Sequence, residues 1–226
     1  MYSEIDTYRI HTGTEEITLF QITNIKGYIK NNKFIYIGVL LLYFLGFAIG
    51  GLYSNFINDA VFFQSLDATK ELFKSLLISK DAIDIKNLMI TDLTPVIIIA
   101  LCGITLIGLP FILFFIFKSG FSLGFYISFL IKAFSIKGFY LGMFYLFLNL
   151  LLILPAITAI SVNSLELNIY ILTNANKKYA AQRSFSSLIA ICVFILVLSI
   201  LLTVFSTNLK AMLLPDIVKF LFSSIL

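Results

Sequence analysis

Long apolar runs separated by short polar stretches dominate the pattern of this chain. Nearly charge-free runs of about 18 or more apolar residues are typical of transmembrane helices. The pattern predicts an all-α fold, a multi-pass transmembrane helical bundle of about five spans with an amphipathic extracytoplasmic loop. The expected segments are a cytoplasmic tail 1–33, span 34–56, the extracytoplasmic loop 57–93, spans 94–117, 119–136 and 138–161, a cytoplasmic extension and loop 162–187, span 188–206, and an extracytoplasmic amphipathic tail 207–226.

The apolar run 139–172 is too long for a single crossing. As one helix it would extend about 50 Å, whereas the hydrocarbon core of a bilayer is about 30 Å thick. Pro155 predicts a kink, with the end of the run projecting into the cytoplasm. Two spans joined by a tight turn at Pro155 remain the alternative.

Glycines spaced by four predict close helix packing. Gly46 and Gly50 lie in the first span, and Gly120 and Gly124 lie in the third, where small residues let another backbone approach. The segment 118–120 reads as a tight turn, so spans two and three are expected to form a packed hairpin.

Three further residues are expected to shape the spans. Gly108 and Pro110 lie inside the second predicted span, where a proline removes a backbone hydrogen bond and kinks the helix. Asn149 is expected to hydrogen-bond to another helix, which contributes on the order of 1 kcal/mol.

The polar segment before the second span contains an amphipathic stretch. Its apolar positions recur at roughly helical spacing. Two interpretations stay open: the stripe docks a partner, or it only seats the loop on lipid. The candidate docking residues are Phe62, Leu66, Phe73 and Leu77.

Composition excludes an ordinary soluble domain, since 60% of the residues are hydrophobic and only 12% are charged. The net charge of +4 is read as basic residues that flank spans, not as a nucleic-acid surface. The 16 basic residues divide evenly between the two predicted sides. The tight clusters at 26–33 and 177–183 therefore decide the orientation, with the N-terminus inside and the C-terminus outside.

Candidate chemistry is sparse. His11 is the single histidine and lies in the polar tail, and Cys102 and Cys192 lie in apolar runs, so no metal site is predicted. Glu166 is expected near the inner interface, solvated or paired with Lys177 or Lys178. Charges within the predicted spans are nearly absent, which argues against an energised pump. We predict no catalytic residues, no cofactor and no enzyme activity.

The stretch from Gly103 to Glu166 resembles stage II sporulation protein M of endospore-forming bacteria. The resemblance is carried by Gly108-Leu-Pro110, Lys118-x-Gly120-x-x-x-Gly124, the start Lys137-Gly138-Phe139, Asn149 and Leu154-Pro155. The wider family often has a Pro-His-x-x-x-Glu-x-Pro-like pattern in the fourth span. Here the matching positions are Leu148, Asn149, Ile153 and Pro155, so the histidine and the acid are missing.

The resemblance implies a role in forespore engulfment. On this interpretation the chain is a multi-span anchor in the engulfing mother-cell membrane. It would localise stage II sporulation proteins D and P, which cut peptidoglycan, and would not itself be an enzyme. The other partners considered are membrane lipid and a second copy of the chain. The alternative function is a small channel or permease component.

Overall fold

Helices account for nearly all of the computed structural model, which describes residues 32–78, 84–105, 108–174 and 181–222. The predicted tail with His11 lies outside the described residues. In chain order the helices are α1 (Lys33–Tyr53), a short 3₁₀ turn (Ser54–Phe56), α2 (Asp59–Ile78), α3 (Ile85–Gly103), α4 (Gly108–Leu148), a π-helical segment (Asn149–Ile153), α5 (Leu154–Asn174) and α6 (Ala181–Phe222).

Four described segments are long and apolar enough to cross a membrane: Lys33–Phe56, Ile85–Gly103, Gly108–Ile169 and Ile189–Phe222. Large apolar side chains such as Leu101 and Leu201 are exposed on the sides of the bundle, as expected for surfaces that face lipid. The prediction of an all-α membrane bundle is confirmed.

Helix α4 reverses direction at Ser135, whose backbone has φ 51° and ψ −127°. A Cβ added at Gly138 would overlap the carbonyl oxygen of Leu130, and the rings of Tyr126 and Tyr145 lie 4.9 Å apart between centroids. The limbs 108–134 and 136–148 are therefore antiparallel neighbours. Segment Gly108–Ile169 thus contains two passes, which gives five passes in all.

The predicted turn at 118–120 is wrong. The chain breaks instead at 104–107, between Gly103 and Gly108, and the predicted span 94–117 is divided between α3 and α4. Pro110 lies in the first turn of α4, where its missing N–H costs no helical hydrogen bond, so it does not kink a span. The segment around Gly120 stays helical because Ser119 Oγ donates to the Phe115 carbonyl, 2.9 Å away.

The two glycine pairs pack against each other, not within a hairpin of spans two and three. Added Cβ atoms at Gly46 and Gly50 would overlap the carbonyl oxygens of Phe117 and Phe121. Added Cβ atoms at Gly120 and Gly124 would likewise overlap backbone oxygens of α1. Helix α1 and the first limb of α4 therefore run side by side in the same direction, at backbone contact.

Two predicted peripheral segments belong to the bundle. The expected cytoplasmic extension after position 161 continues as α5, where Val162, Leu165 and Leu167 are buried. The expected surface tail after position 206 continues as α6, with Pro215 inside the helix and Phe222 buried. Both corrections have one cause: each segment carries apolar positions that another helix of the chain covers.

Helix α2 lies against the end of the bundle. The Phe73 ring packs between Phe134 and Phe222, at centroid distances of 5.2 and 5.0 Å. Phe62 packs on Phe129 at 5.5 Å, beneath the ammonium group of Lys132. The apolar stripe of α2 is therefore covered by the chain itself, and Phe73 is not an exposed docking residue.

Candidate functional site

A buried ion pair joins α3 to α6. Lys210 Nζ lies 2.9 Å from Asp92 Oδ2, and the two side chains are 1% and 11% exposed. The hydroxyl of Thr207 lies 3.0 Å from the same carboxylate oxygen, to which it can donate. Among the described residues this is the one ion pair of its kind, because their other charged side chains lie in half-buried or exposed positions.

Asn149 connects this pair to the centre of the bundle. Lys210 Nζ donates to Asn149 Oδ1 at 3.3 Å, and Asn149 Nδ2 donates to the Tyr145 carbonyl at 2.7 Å. The ammonium group of Lys210 also lies 4.7 Å from the centroid of the Tyr145 ring. The predicted hydrogen bond from Asn149 to another helix is therefore present, and its partner is a charged group.

The π-helical segment begins at Asn149 for a local reason. Pro155 has no N–H to donate, and the Leu154 N–H bonds to the Asn149 carbonyl, five residues back. The predicted kink at Pro155 is thus a widened turn just before the proline. Such π-bulges are frequent at functional sites, since they re-aim the side chains around them.

The cluster lies near the middle of the bundle along its long axis. At about 1.5 Å per residue, Asp92 lies ~16 Å from the end of α3 at Gly103. Asn149 lies ~20 Å below the reversal at Ser135, and Lys118 lies ~15 Å from the start of α4 at Gly108. With a hydrocarbon core of about 30 Å, all three residues are close to its midplane.

A cavity of about 380 Å³ adjoins the ion pair. Its polar lining comes from Asp92 of α3, Lys118 and Ser122 of α4, and Asn149 of the π segment. Three tyrosines complete the wall: Tyr43, Tyr126 and Tyr145. Thr91, Thr94 and Ser122 are exposed, so the cavity opens at the surface of the bundle between α3 and the first limb of α4.

The arrangement can bind and hydrogen-bond, but its chemistry is limited. Among the described residues, no three His, Cys, Asp or Glu side chains come together in a group that could hold a metal ion. Cys102 and Cys192 are free thiols. Glu166 lies away from this cluster and accepts a hydrogen bond from Asn32 Nδ2 at 3.1 Å.

Comparison with protein families bears on this bundle directly. The family model for stage II sporulation protein M matches residues 39–208, three quarters of the chain. The chain belongs to this family. A search of curated proteins and a search of solved structures each found no match. The stage II sporulation protein M match includes Asp92 and Asn149 and ends two residues before Lys210.

Sequence reasoning missed the ion pair because both residues were assigned to polar segments outside the spans. Two local signals could have corrected the assignment of Asp92. Asp84 caps α3, since its carboxylate accepts from the Asn87 N–H at 3.2 Å, so the helix begins well before Pro95. For Lys210, the apolar positions on both sides continue the period of α6.

Proposed function

We propose that this protein is a non-catalytic membrane scaffold that localises peptidoglycan hydrolases during forespore engulfment. The partners proposed are stage II sporulation proteins D and P, and the proposed location is the engulfing mother-cell membrane. Membership in the stage II sporulation protein M family supports a sporulation role at a membrane. Five apolar passes support an anchor that stays in the bilayer.

The observation that carries the proposal is the seating of α2. Phe73 and Leu76 are 1% and 3% exposed, packed with Val218 and Phe222 of α6. A helix held by buried aromatic rings offers a partner a fixed surface, so little ordering cost remains on binding. With the N-terminus inside, this platform faces the peptidoglycan.

The outward face of α2 is therefore the proposed docking face, in place of the covered stripe. Its exposed residues include Asp67, Glu71, Leu72 and Lys74. Mixed charge around an apolar side chain is typical of the rim and centre of a protein interface. Phe62, Leu66, Phe73 and Leu77 instead position the helix.

Co-purification of both hydrolases with the tagged protein tests the docking face. The double variant Leu72→Asp, Lys74→Glu should lose the hydrolases while its amount in the membrane fraction stays normal. Lys86→Glu is the matched control, because Lys86 is an exposed lysine at the start of α3 and lies outside α2. Normal recovery of both hydrolases by the double variant would place docking elsewhere on the bundle.

A second candidate function is passage of a small solute. It is favoured by the position of Asp92, Lys210 and Asn149, since transporter sites lie near the midplane and use broken helices. Flux of labelled solutes into proteoliposomes tests it, with Asp92→Asn as the comparison. Equal flux with wild type, with the variant and with empty liposomes would rule it out.

A further inference from the structure

Lys118 is a charged side chain in the middle of an apolar bundle. It is exposed and lies at the edge of the 380 Å³ cavity, with its ammonium group 5.5 Å from the centroid of the Phe115 ring. Among the described residues no carboxylate lies within ion-pair distance of it. A lysine near the midplane is costly unless its charge is balanced.

Two ordinary explanations fail to balance this charge. A lysine side chain extends about 6 Å, whereas the nearer interface is about 15 Å away, so the ammonium group cannot reach it by snorkelling. Asp92 is the one acid that lines the cavity, but its carboxylate already pairs with Lys210 at 2.9 Å. The cavity therefore carries one uncompensated positive charge.

The rest of the lining supplies hydrogen-bond donors. Ser122 follows Lys118 by one helical turn, and the hydroxyl-bearing Tyr43, Tyr126 and Tyr145 lie on the other walls. Hydroxyl and ammonium groups together form strong hydrogen bonds to oxyanions. The volume falls within the usual range of about 300–1,000 Å³ for small-molecule sites.

We propose that this midplane cavity is an oxyanion site in which Lys118 is the counter-charge of a bound phosphate group. The phosphate belongs either to a lipid headgroup, which enters sideways between α3 and α4, or to a water-soluble molecule. The neutral Asp92–Lys210 pair forms the floor of the site and fixes α3 at the width that the cavity needs. The site is independent of the proposed scaffold role.

Thermal stability of the full-length protein in non-ionic detergent tests the proposal. One arm adds potassium phosphate, compared with potassium chloride at equal ionic strength. The other arm adds phosphatidylglycerol, compared with phosphatidylcholine. A ligand that binds only the folded state raises Tm, here by roughly 5 °C at a concentration well above Kd. A response to phosphate identifies a soluble anion, and a response to phosphatidylglycerol alone identifies a lipid.

Matched variants decide whether Lys118 is the counter-charge. Lys118→Met should lose the response and Lys118→Arg should keep it. Lys132→Met is the control, because Lys132 is also exposed on α4 and lies 4.6 Å from the centroid of the Phe62 ring. Ser122→Leu, which fills the opening without changing charge, should lose the response as well and serves if Lys118→Met does not accumulate. The proposal is overturned if neither probe raises the Tm of the wild-type protein. It is equally overturned if Lys118→Met or Ser122→Leu responds as the wild type does.

Discussion

At the scale of single residues, the largest energies in this protein belong to its buried charges. Lys210 is 1% exposed and keeps its charge among apolar helices only because Asp92, Asn149 and the Tyr145 ring surround it. Desolvation of two charges costs several kcal/mol for each ion, so a complete pair adds little net stability. Removal of one partner is different, since it leaves the other charge buried and unbalanced.

This asymmetry gives a sharp prediction for the ion pair. Asp92→Asn and Lys210→Met should each destabilise the folded protein by about 3–5 kcal/mol, which lowers Tm by roughly 10 °C. The double variant should be closer to wild type than either single variant, because no lone charge remains. Thermal unfolding in detergent measures all four proteins. Additive losses in the double variant would contradict the ion pair.

Ser135 gives a second prediction at this scale. It is the one described residue other than glycine with a positive φ, and only glycine adopts such a conformation without a steric cost. Ser135→Gly should therefore stabilise the protein by about 0.5–1 kcal/mol, and Ser135→Val should destabilise it. Thermal unfolding of the two variants checks the direction. A loss of stability in Ser135→Gly would argue against the reversal at this residue.

At the scale of helices, much of the architecture could be predicted because hydropathy reports burial in lipid. The apolar runs around α1 and α6 indicate spans whatever their exact ends. The break at 104–107 could not be placed, because its residues are as apolar as the helices on either side. Gly120 looked like a turn residue, but its missing side chain serves contact with α1. Local pattern does not distinguish these two uses of glycine.

The contact between α1 and α4 leads to a prediction for the glycines. Gly124→Ala should lower stability by about 1–3 kcal/mol, because the added methyl group meets the rigid carbonyl of Phe47. Gly38→Ala is the matched control on α1, since nothing lies within 4 Å of its added Cβ, and it should be neutral or slightly stabilising. Folded yield and Tm measure both. Equal behaviour of the two variants would disprove backbone contact at Gly124.

At the scale of the whole molecule, the ends of the bundle differ in construction. One end has the break at 104–107, close to which Asn168 Nδ2 donates to the Thr105 carbonyl. The other end has the reversal at Ser135, α2 and the last turns of α6, held together by Phe73, Leu130, Val218 and Phe222. The scaffold role depends on which end faces the cell exterior, and the basic clusters of the sequence place the end with α2 outside.

Labelling of single cysteines tests this orientation. In a variant with Cys102 and Cys192 replaced by alanine, Ile136→Cys lies beside the reversal and Thr105→Cys lies at the opposite end, both at exposed positions. A membrane-impermeant maleimide should label Ile136→Cys in intact cells, and should label Thr105→Cys only after the membrane is opened. The two positions bound the limb 108–134, so their labelling fixes the direction of every pass in the bundle. The reverse pattern would place α2 in the cytoplasm, where it could not hold enzymes that act on peptidoglycan, and the scaffold proposal would then be wrong.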